Sequence, residues 1–283
     1  MTIESFLSGK TVLITGGTGS FGRKITERVL EMPVKRIVIL SRDEKKQYDM
    51  RCKLGVEYKV KFMVGDVRDA ARVEEAMRGV DVVFHAAALK QVPQCEEHPF
   101  EAVMTNIVGA QNVKRAAIRN QVGLVLAVST DKAVKPVNVM GMTKAVQERL
   151  FLCETPGDGL PRFACVRYGN VIGSRGSVVP LFKRLLEEGK PIPITHTDMT
   201  RFLLTLDEAI DLVFTAACSH EANAVYVRKM PACRIVDLAQ VMGEALTGKP
   251  PMLLMSGVRP GEKIHEVLVS EEELTRTTEF GEY

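Results

Sequence analysis

Short apolar runs recur along the first part of the chain: TVLIT at 11–15, RIVIL at 36–40, VKFMV at 60–64, DVVF at 81–84, LVLAV at 124–128 and FACV at 163–166. They are rich in β-branched residues and little interrupted by polar positions, the pattern of strands buried on both faces of a sheet. Between them lie segments of helical character at Phe21–Leu30, Asp43–Lys53 and Ala70–Met77, a longer one around Pro99–Asn120, and another from Val139. Strands alternating with helices in this way predict βαβ units and a parallel sheet covered on both faces.

Beyond Gly169 the texture changes. A glycine-rich loop at 169–177 leads to a helix over Val179–Glu188, and Pro191 and Pro193 bracket a short strand. A helix follows at Asp207–Ala217, then a strand at Ala224–Val227 and a helix at Arg234–Leu246. The predicted fold class is α/β: a Rossmann-type doubly wound parallel sheet over residues 1–168, with a smaller α/β substrate lobe over 169–283. The boundary is interleaved, since chain from the second half has room to return to the sheet.

Composition narrows the classes. At 283 residues and 46% hydrophobic, the chain can bury one large core and a smaller companion. A net charge of +3 is too small to argue for nucleic acid or an acidic membrane surface as partner. No apolar run approaches a membrane span and no signal-peptide pattern opens the chain, so a soluble cytoplasmic protein is expected. Six cysteines without a Cys-x-x-Cys pair, and only five histidines, argue against a metal site or a disulfide framework.

Candidate chemistry begins where the first strand ends. Thr15-Gly16-Gly17-Thr18-Gly19-Ser20-Phe21-Gly22 stands between that strand and a helix. Glycines there permit a tight turn and let backbone approach a pyrophosphate, while the helix N-terminus favours its negative charge. The second strand ends in Ser41 and Arg42, with Lys45 a turn later, where an NAD site usually has an acidic residue. Serine with arginine suits a 2′-phosphate, so NADP is expected rather than NAD. Asp43 reads as a helix cap, and Lys45 as equally at home on a solvated face. Asp66 and the small residues Ala86, Ala87 and Ala88 leave later strands at the same sheet edge, and His85 reads as a packed core residue.

Ser129, Thr130, Asp131 and Lys132 leave the carboxyl end of the fifth strand together. Four polar, proton-handling side chains in a row after a core strand are hard to explain by packing, and this is the edge where open α/β sheets bind ligands. A helix then carries Met140 and Lys144 four residues apart, on one face.

TGGTGSFG, GDVRD at 65–69, HAAALKQVP at 85–93, STDKA, RYGNVIGSRGSVVP at 167–180, MTRF at 199–202 and RPGEK at 259–263 occur in order along the chain. In this the chain resembles the extended short-chain dehydrogenase/reductases, and within them the inverting UDP-N-acetylglucosamine 4,6-dehydratases of surface-sugar biosynthesis. The resemblance implies a lyase with bound NADP. The sugar C4 hydroxyl is oxidised, the C5 proton and C6 hydroxyl are lost, hydride returns to C6, and C5 is reprotonated from the other face. It makes Asp131 the acid at C6, Lys132 the base at C5, Thr130 a partner of the sugar, and Lys144 a partner of the nicotinamide ribose. It also implies Val67, Lys90, Asn106, Ser129 and Tyr168 around the cofactor. Lys90, Asn170, Arg175, Ser177, Val178, Arg201, Arg259 and Glu262 then surround the substrate, the three arginines on the diphosphate or its approach. A homo-oligomer, dimer or hexamer, is expected. Met140 stands where most short-chain dehydrogenases have the tyrosine that deprotonates the reacting hydroxyl; some inverting dehydratases resemble this chain in having methionine there. Asp131, or a water held by Thr130 and Lys144, are the replacements considered. A UDP-sugar 4-epimerase and a catalytically silent NADP-binding regulator are the alternatives.

Overall fold

The computed structural model describes residues 1–55, 58–153, 159–174, 176–219, 221 and 223–283. Every apolar run named above is a strand: β1 Thr11–Thr15, β2 Arg36–Ser41, β3 Val60–Val64, β4 Val82–His85, β5 Leu124–Val128 and β6 Arg162–Arg167. Further strands among the described residues are β7 Asn170–Val171, β8 Ile192–Ile194, β9 Thr200–Leu204, β10 Ala224–Val227, β11 Ala232–Arg234 and β12 Leu253–Met255. The main sheet has seven strands in the order β10-β6-β5-β4-β1-β2-β3. All its pairings are parallel. This is the predicted Rossmann-type α/β fold. Strand order reverses between β1 and β4, so a crevice opens beyond the carboxyl ends of those two strands, where such sheets receive ligands.

The helices are α1 Ile3–Leu7, α2 Ser20–Leu30, α3 Glu44–Leu54, α4 Ala70–Ala76, α5 Val92–Glu97, α6 Pro99–Ala102, α7 Gly109–Arg119, α8 Val139–Leu152, α9 Val178–Glu187, α10 Leu206–Cys218, α11 Ile235–Thr247 and α12 Glu271–Leu274. Alternation along the strands divides the core in two. Val12, Ile14, Ile37 and Ile39 cluster with Ile25 and Val29 of α2 and with Ile210 and Val213 of α10. Leu13, Val38 and Leu40 cluster on the opposite face with Val73 of α4, Val113 of α7 and Phe151 of α8. All are buried, and each large side chain contributes about 1.5–3 kcal/mol.

The stretch around 99–120 is not one regular helix. α6 ends at Ala102, Val103–Val108 winds as π-helix, and α7 resumes at Gly109. Gly109 lies hard against the chain after β3, where an added Cβ would stand 2.6 Å from Val67 Cγ2. The wide turn carries Asn106 into the interior, a common use of π-helical segments beside functional sites.

In the second half, β7, β9 and β11 form a small sheet and β8 pairs with β12. Phe182, Ile192, Ile194, Met199, Ile235 and Ala239 make an apolar cluster of their own there. β10 returns to the main sheet, pairing with β6. The two- and three-residue strands β7, β11 and β12 are too short to give a periodic signal in sequence. No helix among the described residues is long and apolar enough to cross a membrane.

Candidate active site

The glycine turn sits at the sheet's switch point. Gly16 has φ +65°, and a Cβ there would lie 2.8 Å from the Ala87 amide nitrogen. A Cβ on Gly22 would lie 2.4 Å from Gly17 Cα. Close approach on both sides therefore requires glycine: α2 presses on the turn it leaves, and the turn presses on the loop Ala86–Ala88. Gly19, the N-cap of α2, has no side chain to cap the helix, and the positive end of the helix dipole lies at the glycine turn. Thr15 Oγ1 is 2.8 Å from His85 Nδ1 across the switch point. It also accepts from the Ala87 amide at 3.3 Å. Thr18 is buried and its carbonyl accepts from Arg23, while Phe21 packs partly into the core beneath. His85 is buried, and burial with the nearby Lys144 charge pushes its pKa down to about 3, so the imidazole is neutral.

At the end of β2, Ser41 is buried and its Oγ accepts from Gln47 Nε2 at 2.9 Å. Arg42 is half-exposed and lies 3.6 Å from Asp66. Asp66 also accepts from the Arg68 amide and guanidinium; burial opposes its charge, but these bonds hold its pKa below the usual carboxylate value. Lys45 pairs with Asp49 on the exposed face of α3. Asp43 caps α3, accepting from the Lys46 amide, as expected.

The residues after β5 converge. Asp131 is fully buried at the start of a single 3₁₀ turn, Asp131–Ala133. Its Oδ1 accepts from Thr130 Oγ1 at 2.8 Å and from Lys132 Nζ at 3.1 Å. Its Oδ2 is buried without a hydrogen-bond partner. Lys132 Nζ also donates to Asn170 Oδ1 at 3.3 Å and lies 3.5 Å from Glu266 Oε1. The loop is pinned from two sides: the Asp131 amide donates to the Tyr168 carbonyl, and Gly141 of α8 approaches so closely that a Cβ would stand 2.3 Å from the Lys132 carbonyl oxygen.

Lys144 is buried one turn further along α8. Its Nζ donates to the Val128 carbonyl at 2.5 Å and to Gln147 Oε1 at 2.9 Å. Burial pushes its pKa down to about 8. Met140 is buried among Cys95 and Ala102, with Leu89 and Val92 against it. Burial, with the Glu96 charge, raises the neighbouring Cys95 thiol to about 11, so this corner is apolar and holds a thiol, not a thiolate. Asn106 holds the loop after β4 to α8, accepting from the Leu89 amide and donating to Thr143 Oγ1. Ser129 Oγ is buried without a partner, and Tyr168 is buried with its phenol pKa raised by burial. Val67 is buried, and Lys90 stands exposed at the end of the loop after β4.

Of the second-half residues, Asn170 joins the cluster directly. Ser177, with Oγ buried and unpartnered, precedes α9, and Val178 opens that helix. Arg175 lies outside the described residues. Arg259 is exposed, with Glu262 folded back onto its amide at 3.2 Å. Arg201 is buried and donates to the carbonyls of Thr200, Lys263 and Ile264, tying β9 to the segment that carries Arg259. Three groups at the site lack a sequence assignment. Glu266 faces Lys132, Lys263 donates to the Val134 carbonyl, and Gln147 meets Lys144. Gln147 was within reach, three residues after Lys144; Glu266 is brought in from far along the chain.

The chain is similar to known proteins over nearly its whole length. A family model described as polysaccharide biosynthesis protein matches residues 12–283. A UDP-glucose 4-epimerase of Rickettsia akari is 47% identical over 280 residues, covering 97% of this chain and 82% of that protein. The X-ray structure of Pen from Bacillus thuringiensis is 39% identical with a TM-score of 0.92, covering 95% of this chain and 86% of that one. A dTDP-glucose 4,6-dehydratase, DesIV from Streptomyces venezuelae with NAD bound, shares the fold at a TM-score of 0.83 and 20% identity, over 93% of this chain and 89% of that one. With the match running from β1 through the segment that supplies Glu266, the chain belongs to the polysaccharide biosynthesis protein family.

Proposed function

We propose that the protein is an NADP-dependent UDP-N-acetylglucosamine 4,6-dehydratase that inverts C5, making a UDP-4-keto-6-deoxyhexosamine for surface glycans. The observation that carries this reading is the Asp131–Lys132 pair at the carboxyl end of β5, its carboxylate buried and its lysine partly exposed, with Thr130 and Asn170 in hydrogen-bond contact. An acid and a base side by side suit removal of a C5 proton together with a C6 hydroxyl.

A dinucleotide fits the residues present: a Cβ at Gly16, Gly17 or Gly22 would collide with the protein's own atoms, so the turn is closed tightly enough to lead bare backbone into the N-terminus of α2, which favours a pyrophosphate. Gly16–Gly22, Arg42 and Ala86–Ala88 would hold it, with Lys144 at the nicotinamide ribose. Bound there, it supplies the reversible oxidation at C4 that makes the C5 proton acidic. Met140 has no proton to exchange and is packed on Cys95. Asp131, whose Oδ2 is unpartnered, takes the C4 hydroxyl proton and carries it to the C6 oxygen. Lys132 takes the proton from C5 as the C6–O bond breaks and water leaves. Arg175 and Arg259 meet the diphosphate, and Glu262 the uridine ribose. Residues 1–168 thus hold the cofactor and supply the reacting pair Asp131 and Lys132, and 169–283 bind most of the sugar nucleotide.

The test is product analysis from UDP-N-acetylglucosamine in deuterated water by mass spectrometry and NMR. A 6-deoxy product carrying deuterium at C5 is expected; a UDP-N-acetylgalactosamine product without exchange overturns the reading. That outcome would favour a 4-epimerase, the activity named for the Rickettsia akari relative at 47% identity.

A further inference from the structure

Lys132 Nζ lies between two carboxylates. Asp131 Oδ1 is 3.1 Å away and Glu266 Oε1 is 3.5 Å away, with Asn170 Oδ1 at 3.3 Å as a third acceptor. Three acceptors around one nitrogen match the three N–H bonds of an ammonium. Glu266 is itself buried, its side chain only 3% exposed, and its Oε2 has no hydrogen bond, lying 3.4 Å from Lys263 Nζ. The charges therefore alternate: Asp131, Lys132, Glu266, Lys263. A carboxylate this deep is costly to bury unless a cation holds it, and both of its cations come from the site or its rim.

The two carboxylates are not equivalent. On the reading above, Asp131 is protonated between the oxidation at C4 and the loss of the C6 oxygen, the interval in which Lys132 is a neutral amine ready for the C5 proton. Glu266 is then the ionised acceptor beside that nitrogen, taking an N–H bond from the amine before the C5 proton is transferred and pairing with the ammonium after it. It is also carried by a segment fastened on its own account. Arg201 holds the carbonyls of Lys263 and Ile264, and Asn138, at the start of α8, donates to the Gly261 carbonyl at 2.7 Å. Arg259 stands at the exposed end of the same segment.

We propose that Glu266 is a positioning residue for Lys132, its carboxylate holding the side-chain nitrogen in place, as amine and then as ammonium, while Asp131 is occupied with its own proton. This rests on Lys132 being the C5 base, so its test needs a readout that does not depend on turnover. Competitive labelling of lysines with acetic anhydride, followed by peptide mass spectrometry, reports how firmly each amine is held. In Glu266→Gln, which keeps the side chain's shape, Lys132 labelling at neutral pH rises about tenfold, the effect of losing one neighbouring carboxylate, while surface lysines are unchanged. In Glu266→Asp the rise is smaller. Turnover of UDP-N-acetylglucosamine falls in Glu266→Gln through kcat with KM little altered, and recovers in part in Glu266→Asp. Unchanged Lys132 labelling in folded Glu266→Gln overturns the proposal. Should that variant not fold, Lys263→Met decides: Glu266 is left with Lys132 as its cation, so Lys132 labelling slows, and unchanged labelling overturns the proposal. If the wild-type protein gives no C5 exchange, the dehydratase reading fails, while the labelling result still judges the ion pair.

Discussion

Lys132 and Lys144 are both lysines at the same sheet edge, yet their surroundings give them different work. Lys132 is ringed by oxygens that include two carboxylates. Lys144 meets a carbonyl and an amide oxygen, and burial brings its pKa down from 10.5 to about 8. Between those two values the unfolded chain holds a proton on this lysine that the folded chain has released. Folding stability therefore rises with pH across that window, and below about pH 8 the full cost of burying the cation is present. In Lys144→Met that rise is expected to flatten, visible as a smaller gain in melting temperature from pH 8 to pH 10 than the wild type shows. Circular dichroism is the natural probe, since the chain has no tryptophan. Lys132→Ala makes a different prediction. On the proposed function it removes the C5 base and leaves the glycine turn intact, so turnover is expected to be lost while NADP affinity, measured by calorimetry, changes less than about threefold, under 1 kcal/mol. A parallel loss of NADP binding would show that Lys132 serves the cofactor.

Secondary-structure elements meet at this site through glycines, and the sequence foretold some of these contacts better than others. The turn Gly16–Gly22 was legible because its cause is local: a strand, a tight turn and a helix within a few residues. Gly141 was not, because its partner is a carbonyl on the preceding loop and nothing in VMGMTK marks that contact. Gly141→Ala drives α8 against the Lys132 carbonyl, and overpacking of this kind costs about 1–3 kcal/mol. Because the strain falls on the loop that carries Asp131 and Lys132, the proposed function predicts that kcat drops by a larger factor than cofactor affinity; equal losses would mean that α8 moves as a whole. The π-helical Val103–Val108 was hidden for a related reason: periodicity reads a continuous helix there, while the close packing of Gly109 on Val67 accompanies a wider turn. Ser41 and Arg201 have the residue types of ligand contacts, and sequence alone cannot reveal that Gln47 donates to one or that the other donates to three carbonyls. Such pairings depend on which chain segments the fold brings together.

Across the whole molecule, one buried arginine joins the site's scaffold to the last part of the chain. Arg167, at the end of β6, donates to both oxygens of Glu148 on α8, to both oxygens of Glu273 on α12, and to the Leu268 carbonyl. Burial works against its charge, but these bonds more than compensate and its pKa is raised. For Glu273, burial pushes the pKa upward while Arg167 and the Ser270 cap hold it down at about 2, against 4.5 unperturbed. This depressed carboxylate contributes stability that is present above pH 4.5 and lost as pH falls toward 2. In Glu273→Gln, α12 and its flanks are expected to lose hydrogen-exchange protection before the main sheet does. Arg167→Met is the harsher change, because it leaves Glu148 buried and unpaired. Breaking one side of such a pair costs about 3–5 kcal/mol, whereas replacing both sides by apolar groups of similar volume is often close to neutral. The double variant Arg167→Met with Glu148→Leu should therefore be more stable to urea than Arg167→Met alone, with Glu273, less deeply buried, left to solvent. If the two substitutions destabilise additively, the arginine acts through its packing and not its charge, and the link between α8 and α12 rests on apolar contacts.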